Sequence, residues 1–139
     1  DAVTKNSIPH QAIYWMAQVA LGDAYLQLGR PADALRVYNM FSKRKQRIAS
    51  LDRYDRRVNT TFGKLLVKAG RHNDALIAFE RALNGTDDKK APKEAEIRYE
   101  FGLALQGAGK AGQAIEQFKL AAEEVPAAAE ALKATEVSA

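Results

Sequence analysis

The sequence has no cysteine, so no disulfide bond and no thiol chemistry can contribute to its stability or function. No run of apolar residues approaches the length that crosses a bilayer, so no direct membrane insertion is expected. His10 and His72 are the only histidines, and neither stands at ligand spacing from a cluster of carboxylates. Because a metal site needs three or four convergent ligands, we predict no metal ion and no other cofactor.

The residues that are present have the composition of a folded, soluble protein. Of 139 residues, 47% are apolar and 27% are charged, a balance typical of globular domains. The length suits one domain with a core, or a few stacked repeats. The N-terminal segment has neither the basic nor the apolar region of a signal peptide, and it lacks an initiator methionine. We therefore expect a single domain over residues 1–139, excised from a longer protein. A bacterial envelope and the cytoplasm are both compatible with it.

Three segments align with one another without gaps. Each contains two glycines seven residues apart, an alanine five residues after the second glycine and an aromatic residue four residues later. Apolar residues at helical spacing lie on both sides of the second glycine, so each segment is predicted to be a pair of helices that turns at this glycine. The first glycine and the alanine are small, which allows the two helices to approach closely. The segments are LGDAYLQLGRPADALRVYNMF from Leu21, FGKLLVKAGRHNDALIAFERA from Phe62 and FGLALQGAGKAGQAIEQFKLA from Phe101.

This pattern resembles the tetratricopeptide repeat (TPR), an array of helix–turn–helix units of about 34 residues. The resemblance implies an all-α, right-handed superhelical solenoid of three hairpins, at about 15–48, 56–89 and 95–128, with a capping helix at about 127–136. A single hairpin has too little core to be stable, and stacking against its neighbours completes that core. The family's early tryptophan is replaced in all three units, which have Gln18, Asn59 and Arg98.

The repeats are spaced more widely than the family's unit length. The first glycines, Gly22, Gly63 and Gly102, are 41 and 39 residues apart. The larger excess equals about two helical turns, so we expect a lengthened second helix in the first unit and a lengthened first helix in the second. The smaller excess falls in NGTDDKKAP, which we predict to be a loop with Pro92 near the start of the next helix.

One segment matches a nucleotide-binding pattern, but in the wrong context. GAGKAG, at residues 107–112, has the spacing of a dinucleotide-binding loop, which needs a preceding strand. The residues before it have a helical pattern, and Gly109 is the turn glycine of the third unit. No serine–histidine–acid set and no pair of carboxylates suggests catalysis. We therefore predict that the chain is not an enzyme and has no small-molecule substrate.

The net charge of +4 is concentrated in one part of the sequence. Residues 42–71 contain ten lysines or arginines and two aspartates, which gives +8 against −4 for the rest. Such a block can bind nucleic acid, act as a targeting signal or form solvated helix faces. We predict that residues 43–47 occupy the last turns of a helix, where positive charge complements the helix dipole. Few aromatic side chains, chiefly Tyr54, are available to stack on bases, so nucleic-acid binding is the weaker alternative.

Part of this block forms one face of the first helix of the second unit. The face has spacings of four, three, four and four residues and consists of Arg53, Arg57, Thr60, Lys64 and Lys68. The resemblance implies that first helices line the concave surface, so this cationic strip would run along the centre of a groove. Asp23 and Leu26 of the first unit, and Tyr99 and Leu103 of the third, would lie beside it.

The resemblance implies a non-catalytic scaffold for protein–protein interaction, and the groove suits a peptide or helix with acidic and apolar groups. The predicted partner-binding residues are Arg53, Arg57, Lys64, Lys68, Asp23, Leu26, Tyr99 and Leu103. Some TPR domains hold acidic chaperone C-termini through a lysine and an asparagine. The matching positions here are Val19 and Asp23, so that role is not expected.

Two alternative functions stay open at this point. One is nucleic-acid binding through residues 42–71. The other is self-association, as a module of a multiprotein assembly, through exposed ends of the solenoid. Tyr14 and Trp15 precede the first full unit, and we expect them to pack on the N-terminal extension rather than to form such an exposed end.

Overall fold

The structure is a computed structural model that describes residues 8–85 and 91–138. In these two ranges it contains seven α-helices, a short 3-10 turn at Ala49–Leu51 and no β-strand. The helices are α1 (Ile8–Gln27), α2 (Pro31–Ser42), α3 (Asp52–Lys68), α4 (His72–Leu83), α5 (Glu94–Gly107), α6 (Ala111–Ala121) and α7 (Pro126–Ser138). The predicted all-α helical solenoid is confirmed.

The helices pack in the order in which they follow one another along the chain. The pairs α1/α2, α3/α4 and α5/α6 form the three hairpins, and each hairpin packs on the next through α2 against α3 and α4 against α5. Helix α7 covers α6, and its inner face buries Ala128 and Thr135, as expected for a capping helix. None of the helices in the described residues is long and apolar enough to cross a membrane.

The three hairpins turn in the same way, and a glycine with a left-handed backbone makes each turn possible. Gly29, Gly70 and Gly109 have φ angles of 71°, 76° and 79°. After each of them, a backbone N–H donates to a carbonyl five residues earlier; in the second hairpin Arg71 N lies 2.9 Å from Leu66 O. This bond satisfies a carbonyl that the end of the helix would leave without a partner, so the glycine both stops the helix and closes the turn.

A second set of glycines sets how closely the two helices of a hairpin approach. The rings of Tyr38, Phe79 and Phe118 on the second helices are fully buried. They lie directly over Gly22, Gly63 and Gly102 on the first helices. A Cβ atom added at Gly63 would lie 2.7 Å from Cζ of Phe79, well inside van der Waals contact. The predicted role of the first glycine in close helix packing is therefore confirmed.

The prediction that α2 and α3 are both lengthened is confirmed for α3 and wrong for α2, because the extra residues after α2 form a linker. Helix α2 ends at Ser42 and has 12 residues, the same as α4, whereas α3 has 17 residues and α5 has 14. Residues 43–47 therefore lie in the linker and not on a helix. The physical reason is burial: Ile48 and Leu51 insert into the core, and the polar chain between them and α2 must turn to bring them there.

The structure describes the loop before α5 and the start of α1 only in part. Pro92 stands two residues before α5, as expected for a proline near a helix start, and residues 86–90, where the rest of the loop is predicted, lie outside the described residues. Helix α1 includes Pro9 in its first turn. The ring of Trp15 packs edge-on against Phe41, with 6.1 Å between centroids, while Tyr14 stays largely exposed.

Candidate functional site

The predicted cationic strip lies on α3, but its members differ in exposure. Arg53, Lys64 and Lys68 are exposed, and Arg57 is half-buried. Thr60 is buried, with 4% of its surface accessible, and its hydroxyl donates to the carbonyl of Arg56 at 2.6 Å. The strip is therefore interrupted in its middle, because position 60 turns toward the neighbouring helix instead of toward solvent.

Arg57 and Asp23, both predicted to contact a partner, contact each other. Nη1 of Arg57 lies 3.1 Å from Oδ1 of Asp23, and Nη2 lies 3.3 Å from Oδ2. The same carboxylate accepts a hydrogen bond from the hydroxyl of Tyr38 at 2.5 Å. This cluster joins α1, α2 and α3, and it neutralises both charges. Asp23 therefore faces an arginine of its own chain, so its charge at this surface is balanced.

The tyrosine in this cluster is strongly perturbed. Burial of the phenol, together with its hydrogen bond to the Asp23 carboxylate, raises the pKa of Tyr38 well above its ordinary value. Both causes disfavour the phenolate: burial removes it from water, and the carboxylate beside it accepts a hydrogen bond from the neutral phenol and would repel the anion. Tyr38 is thus held neutral as a hydrogen-bond donor, and the cluster acts as a fixed joint between the first two hairpins.

Near Lys64, the strip lies next to the third hairpin. Lys64 and Thr60 of α3 line a shallow cavity of about 200 Å³ together with Tyr99, Glu96 and Glu100 of α5. Val125, just before α7, closes one side of the cavity. The structure thus brings together Lys64 and Tyr99, two of the residues that the sequence predicted to share a groove. It also places two glutamates there, which the sequence analysis had not assigned to the partner site.

The remaining predicted contacts are apolar and half-buried. Leu26 on α1 and Leu103 on α5 both pack against the core, and Tyr99 also packs with its ring 6.2 Å from that of Phe118. Val19, which occupies the family's clamp position, is buried in the core and does not line a groove. The accessible parts of Tyr99 and Leu103 lie on neighbouring turns of α5, four residues apart, and so share one face of that helix.

A larger polar cavity of about 420 Å³ lies between the linker and the end of α4, and the sequence analysis missed it. Arg44 holds its wall in place: Nη2 lies 2.8 Å from Oδ1 of Asp55, and Nη1 lies 2.9 Å from the carbonyl of Phe41. Arg47 pairs with Asp52 on the opposite side of the linker. The signal that could have revealed this arrangement is the pair of aspartates that follows the basic run at a short distance in sequence.

A network of hydrogen bonds joins the C-terminal end of α2 to the second hairpin. Arg81 of α4 donates to the carbonyl and hydroxyl oxygens of Ser42, both at 2.8 Å. The hydroxyl of Ser42 donates in turn to Oδ1 of Asn59 at 2.7 Å. Asn59 stands at one of the positions where the family has tryptophan, and it is almost fully buried. In the second unit this position accepts a hydrogen bond from the last residue of α2 instead of packing an indole.

Several arginines of the basic block form ion pairs within the chain. Four of its arginines pair with aspartates, in the pairs Arg44–Asp55, Arg47–Asp52, Arg57–Asp23 and Arg71–Asp74. Arg56 is buried beside Gly85, whose carbonyl it approaches at 3.4 Å. The exposed cations that remain are lysines 43, 45, 64 and 68 and Arg53, spread over the linker and the length of α3. The sequence count of +8 therefore overstates the positive charge that any ligand would meet.

The other motifs have structural roles. Gly107 ends α5 and Gly109 forms the turn to α6, so GAGKAG follows a helix, as predicted, and not a strand. The imidazole of His72 packs against Gly107 in the gap that the missing side chain leaves. Within the two described ranges, no three histidine, aspartate or glutamate side chains are grouped to hold a metal ion.

Comparison with known proteins agrees with the packing of the hairpins. No curated protein sequence matches this chain significantly. The sequence model of the tetratricopeptide repeat matches residues 1–46 and 60–129, so it covers most of the chain and breaks off at the linker and the start of α3. Tetratricopeptide repeats generally mediate protein–protein interaction or scaffolding and are generally non-catalytic. With its three glycine-turned hairpins in register and a match over more than half its length, the chain belongs to the tetratricopeptide repeat family.

Proposed function

We propose that the chain is a non-catalytic scaffold that binds a partner peptide or helix across α3 and α5. The binding surface, here called the α3–α5 groove, consists of Lys64, Lys68, Tyr99 and Leu103, together with Arg53 near the N-terminal end of α3. The observation that carries the proposal is the cavity in which Lys64 of one hairpin faces Tyr99 of the next. A groove between two hairpins contacts a ligand along its length, which is how helical repeats commonly bind extended partners.

The chemistry of the groove defines the partner. None of the ion pairs among the described residues involves Lys64 or Lys68, so both ammonium groups are available for acidic groups of a ligand. Tyr99 and Leu103 offer an apolar surface one turn long, where an aliphatic or aromatic side chain can rest. Glu96 and Glu100 line the same cavity as Lys64 and favour a ligand that also carries a basic residue.

Asp23, Leu26 and Arg57 have a different part in this proposal. The ion pair between Asp23 and Arg57 connects α1 to α3, and its two charges cancel. We therefore assign the pair a positioning role: it holds α1 in place beside α3. Leu26 lies on the same helix as Asp23 and packs against the core, and we assign it the same positioning role. The attraction for an acidic partner then rests on Lys64, Lys68 and Arg53.

A charge-reversal experiment tests the proposal. A display library of peptides is selected on the wild-type chain, and affinities of the enriched peptides are measured by isothermal titration calorimetry. The double variant Lys64→Glu/Lys68→Glu is expected to lose at least about tenfold in affinity, because each lost charged contact is worth on the order of 1 kcal/mol. Its melting temperature should change little, since both side chains are exposed and outside the ion pairs.

A control variant with the same change in net charge separates the groove from general electrostatics. The control is Lys110→Glu/Lys119→Glu. Both lysines are exposed: Lys110 directly precedes α6, and Lys119 lies on it. Helix α6 does not line the groove. The selected peptides should bind this control with wild-type affinity and should be enriched in acidic and apolar residues. Equal affinities for both double variants, or peptides that lack acidic residues, would remove the groove from consideration.

A further inference from the structure

The first helix of the solenoid has an exposed apolar stripe, with the exposed polar residues His10 before its N-terminal end and Gln27 at its edge. Ile13, Leu21 and Leu28 have 65%, 40% and 70% of their surface accessible, and three exposed alanines lie between them. The face, here called the α1 face, consists of Ile13, Ala17, Ala20, Leu21, Ala24 and Leu28. Apart from Leu21, which directly follows Ala20, the residues recur at intervals of three and four, so they form one continuous stripe along the helix and its final turn.

Two positions of this stripe correspond to packing residues in the other hairpins. Ala17 corresponds in the alignment to Val58 and Ile97, and both of these are fully buried. Leu21 corresponds to Phe62 and Phe101, which are also buried. In the third hairpin, the covering element is α4 of the preceding hairpin, and Phe101 stacks on Phe79 with 6.2 Å between centroids. The α1 face therefore has the chemistry of a surface that a helix covers.

The distribution of charged residues favours a second α1 face as the surface that covers this one. Asp23 is the only formally charged residue of α1, and it is paired with Arg57 away from the α1 face. At the other end of the solenoid, α7 exposes Glu130, Lys133 and Glu136, so that end is polar. Head-to-tail stacking of two copies would press a charged surface onto an apolar one, which is unfavourable. Two α1 faces, in contrast, can meet without burying any charge.

The stripe is also complementary to itself in shape. It is symmetric about the midpoint between Ala20 and Leu21: Ile13 and Leu28 lie at equal distances on either side, and so do Ala17 and Ala24. If two copies of α1 run antiparallel about that midpoint, Ile13 meets Leu28 of the other copy and Ala17 meets Ala24. Large residues then flank a centre rich in alanine, where two helix backbones can approach closely. A two-fold interface requires this kind of self-complementary surface.

We propose that a second copy of this chain covers the α1 face, with the two α1 helices antiparallel about a two-fold axis between Ala20 and Leu21. The stripe is about 22 Å long at 1.5 Å per residue. A single helix pair of this length buries less than the roughly 800 Å² per partner of a stable interface, so the dimer is weak. This interface lies on α1, and the α3–α5 groove does not take part in it.

Sedimentation equilibrium tests the dimer on the whole chain. Over loading concentrations from about 5 to 500 µM, the apparent mass of the wild type should rise from 15.3 kDa toward twice that value. The variant Ala17→Glu buries an unpaired charge in the interface and should stay monomeric throughout. The matched control Leu120→Glu removes an exposed leucine from α6 and should associate like the wild type. Far-UV circular dichroism checks that each variant keeps its helices.

A compensating variant tests the antiparallel register. In the double variant Ala17→Glu/Ala24→Lys, each new carboxylate would meet a new ammonium of the other copy, so dimerisation should return. The two positions are seven residues apart on one helix, about 10 Å, so they cannot pair within one copy. A wild type that remains monomeric at every concentration would overturn the second copy as occupant. A dimer that survives Ala17→Glu would overturn the α1 face, and failure of the double variant to recover would overturn the register.

Discussion

Replacing Gly63 with alanine tests the contact that sets the spacing between α3 and α4. The new methyl carbon would lie 2.7, 2.8 and 3.0 Å from three ring carbons of Phe79. Carbon atoms in van der Waals contact are about 3.5–4.0 Å apart, so the ring or the helix must move by roughly 1 Å. Phe79 is fully buried and also packs on Phe101, which leaves the ring little room to retreat.

The expected change in stability is the difference between two terms. Overpacking a close-packed core costs about 1–3 kcal/mol. Alanine recovers about 1 kcal/mol relative to glycine in the interior of a helix, because it loses less backbone entropy on folding. We therefore expect Gly63→Ala to lower the free energy of unfolding by about 1 kcal/mol, which corresponds to roughly 3–4 °C in melting temperature for a chain of this size. Urea denaturation followed by far-UV circular dichroism measures this change.

The same substitution at Gly112 provides the control. Gly112 lies in the first turn of α6 with no neighbouring atom within 4 Å of the added carbon, so Gly112→Ala should stabilise the chain by up to about 1 kcal/mol. In the double variant Gly63→Ala/Phe79→Leu, the smaller side chain relieves the clash, and the two changes should couple by at least about 0.5 kcal/mol. If Gly63→Ala stabilised the chain as Gly112→Ala does, the reasoning about the glycine–aromatic contact would be wrong.

Two further predictions concern the joint between the hairpins and the turns. Tyr38→Phe removes a hydrogen bond to a charged acceptor and should cost about 1.5–3 kcal/mol of unfolding free energy at neutral pH. Because the folded-state pKa of Tyr38 lies above the unfolded value of about 10, its contribution is full below pH 10 and is lost as the pH rises beyond it. The difference between wild type and Tyr38→Phe, measured by urea denaturation, should therefore shrink above pH 10, and a constant difference would argue against the hydrogen-bonded phenol. Gly70→Ala should cost about 1–2 kcal/mol through its left-handed backbone alone, and Gly70→Asn should cost less, since asparagine tolerates this conformation; equal losses would point to a cause other than φ.

The hairpins could be predicted from the sequence because their determinants are local. Gly70 ends a run of apolar residues at helical spacing, and the turn it makes depends on its own φ angle and on hydrogen bonds within six residues. The contact between Gly63 and Phe79 spans only one hairpin and recurs in three copies, so chance alignment was excluded. The placement of Lys64 and Tyr99 at one cavity then followed from stacking the hairpins in order.

The path of the linker could not be predicted in this way. An excess of seven residues fits two more helical turns as well as a loop, and the spacing alone does not distinguish them. The outcome depends on the burial of Ile48 and Leu51 and on the bonds that Arg81 and Asn59 make to Ser42, which join residues far apart in sequence. Such contacts are decided by which hairpin surfaces meet, and no local pattern records them.

The repeat by itself determined the number of hairpins, where each one turns and which residues lie between its helices, because those features depend on backbone conformation and side-chain size within a single unit. Only the tertiary structure decided which charges remain for a partner. Arg44 and Arg57 are indistinguishable in sequence from Lys64 as members of a basic block, yet aspartates brought close by packing neutralise the first two. Electrostatic interactions act through space over a few ångströms, so their pairing is known only once the helices have been placed together.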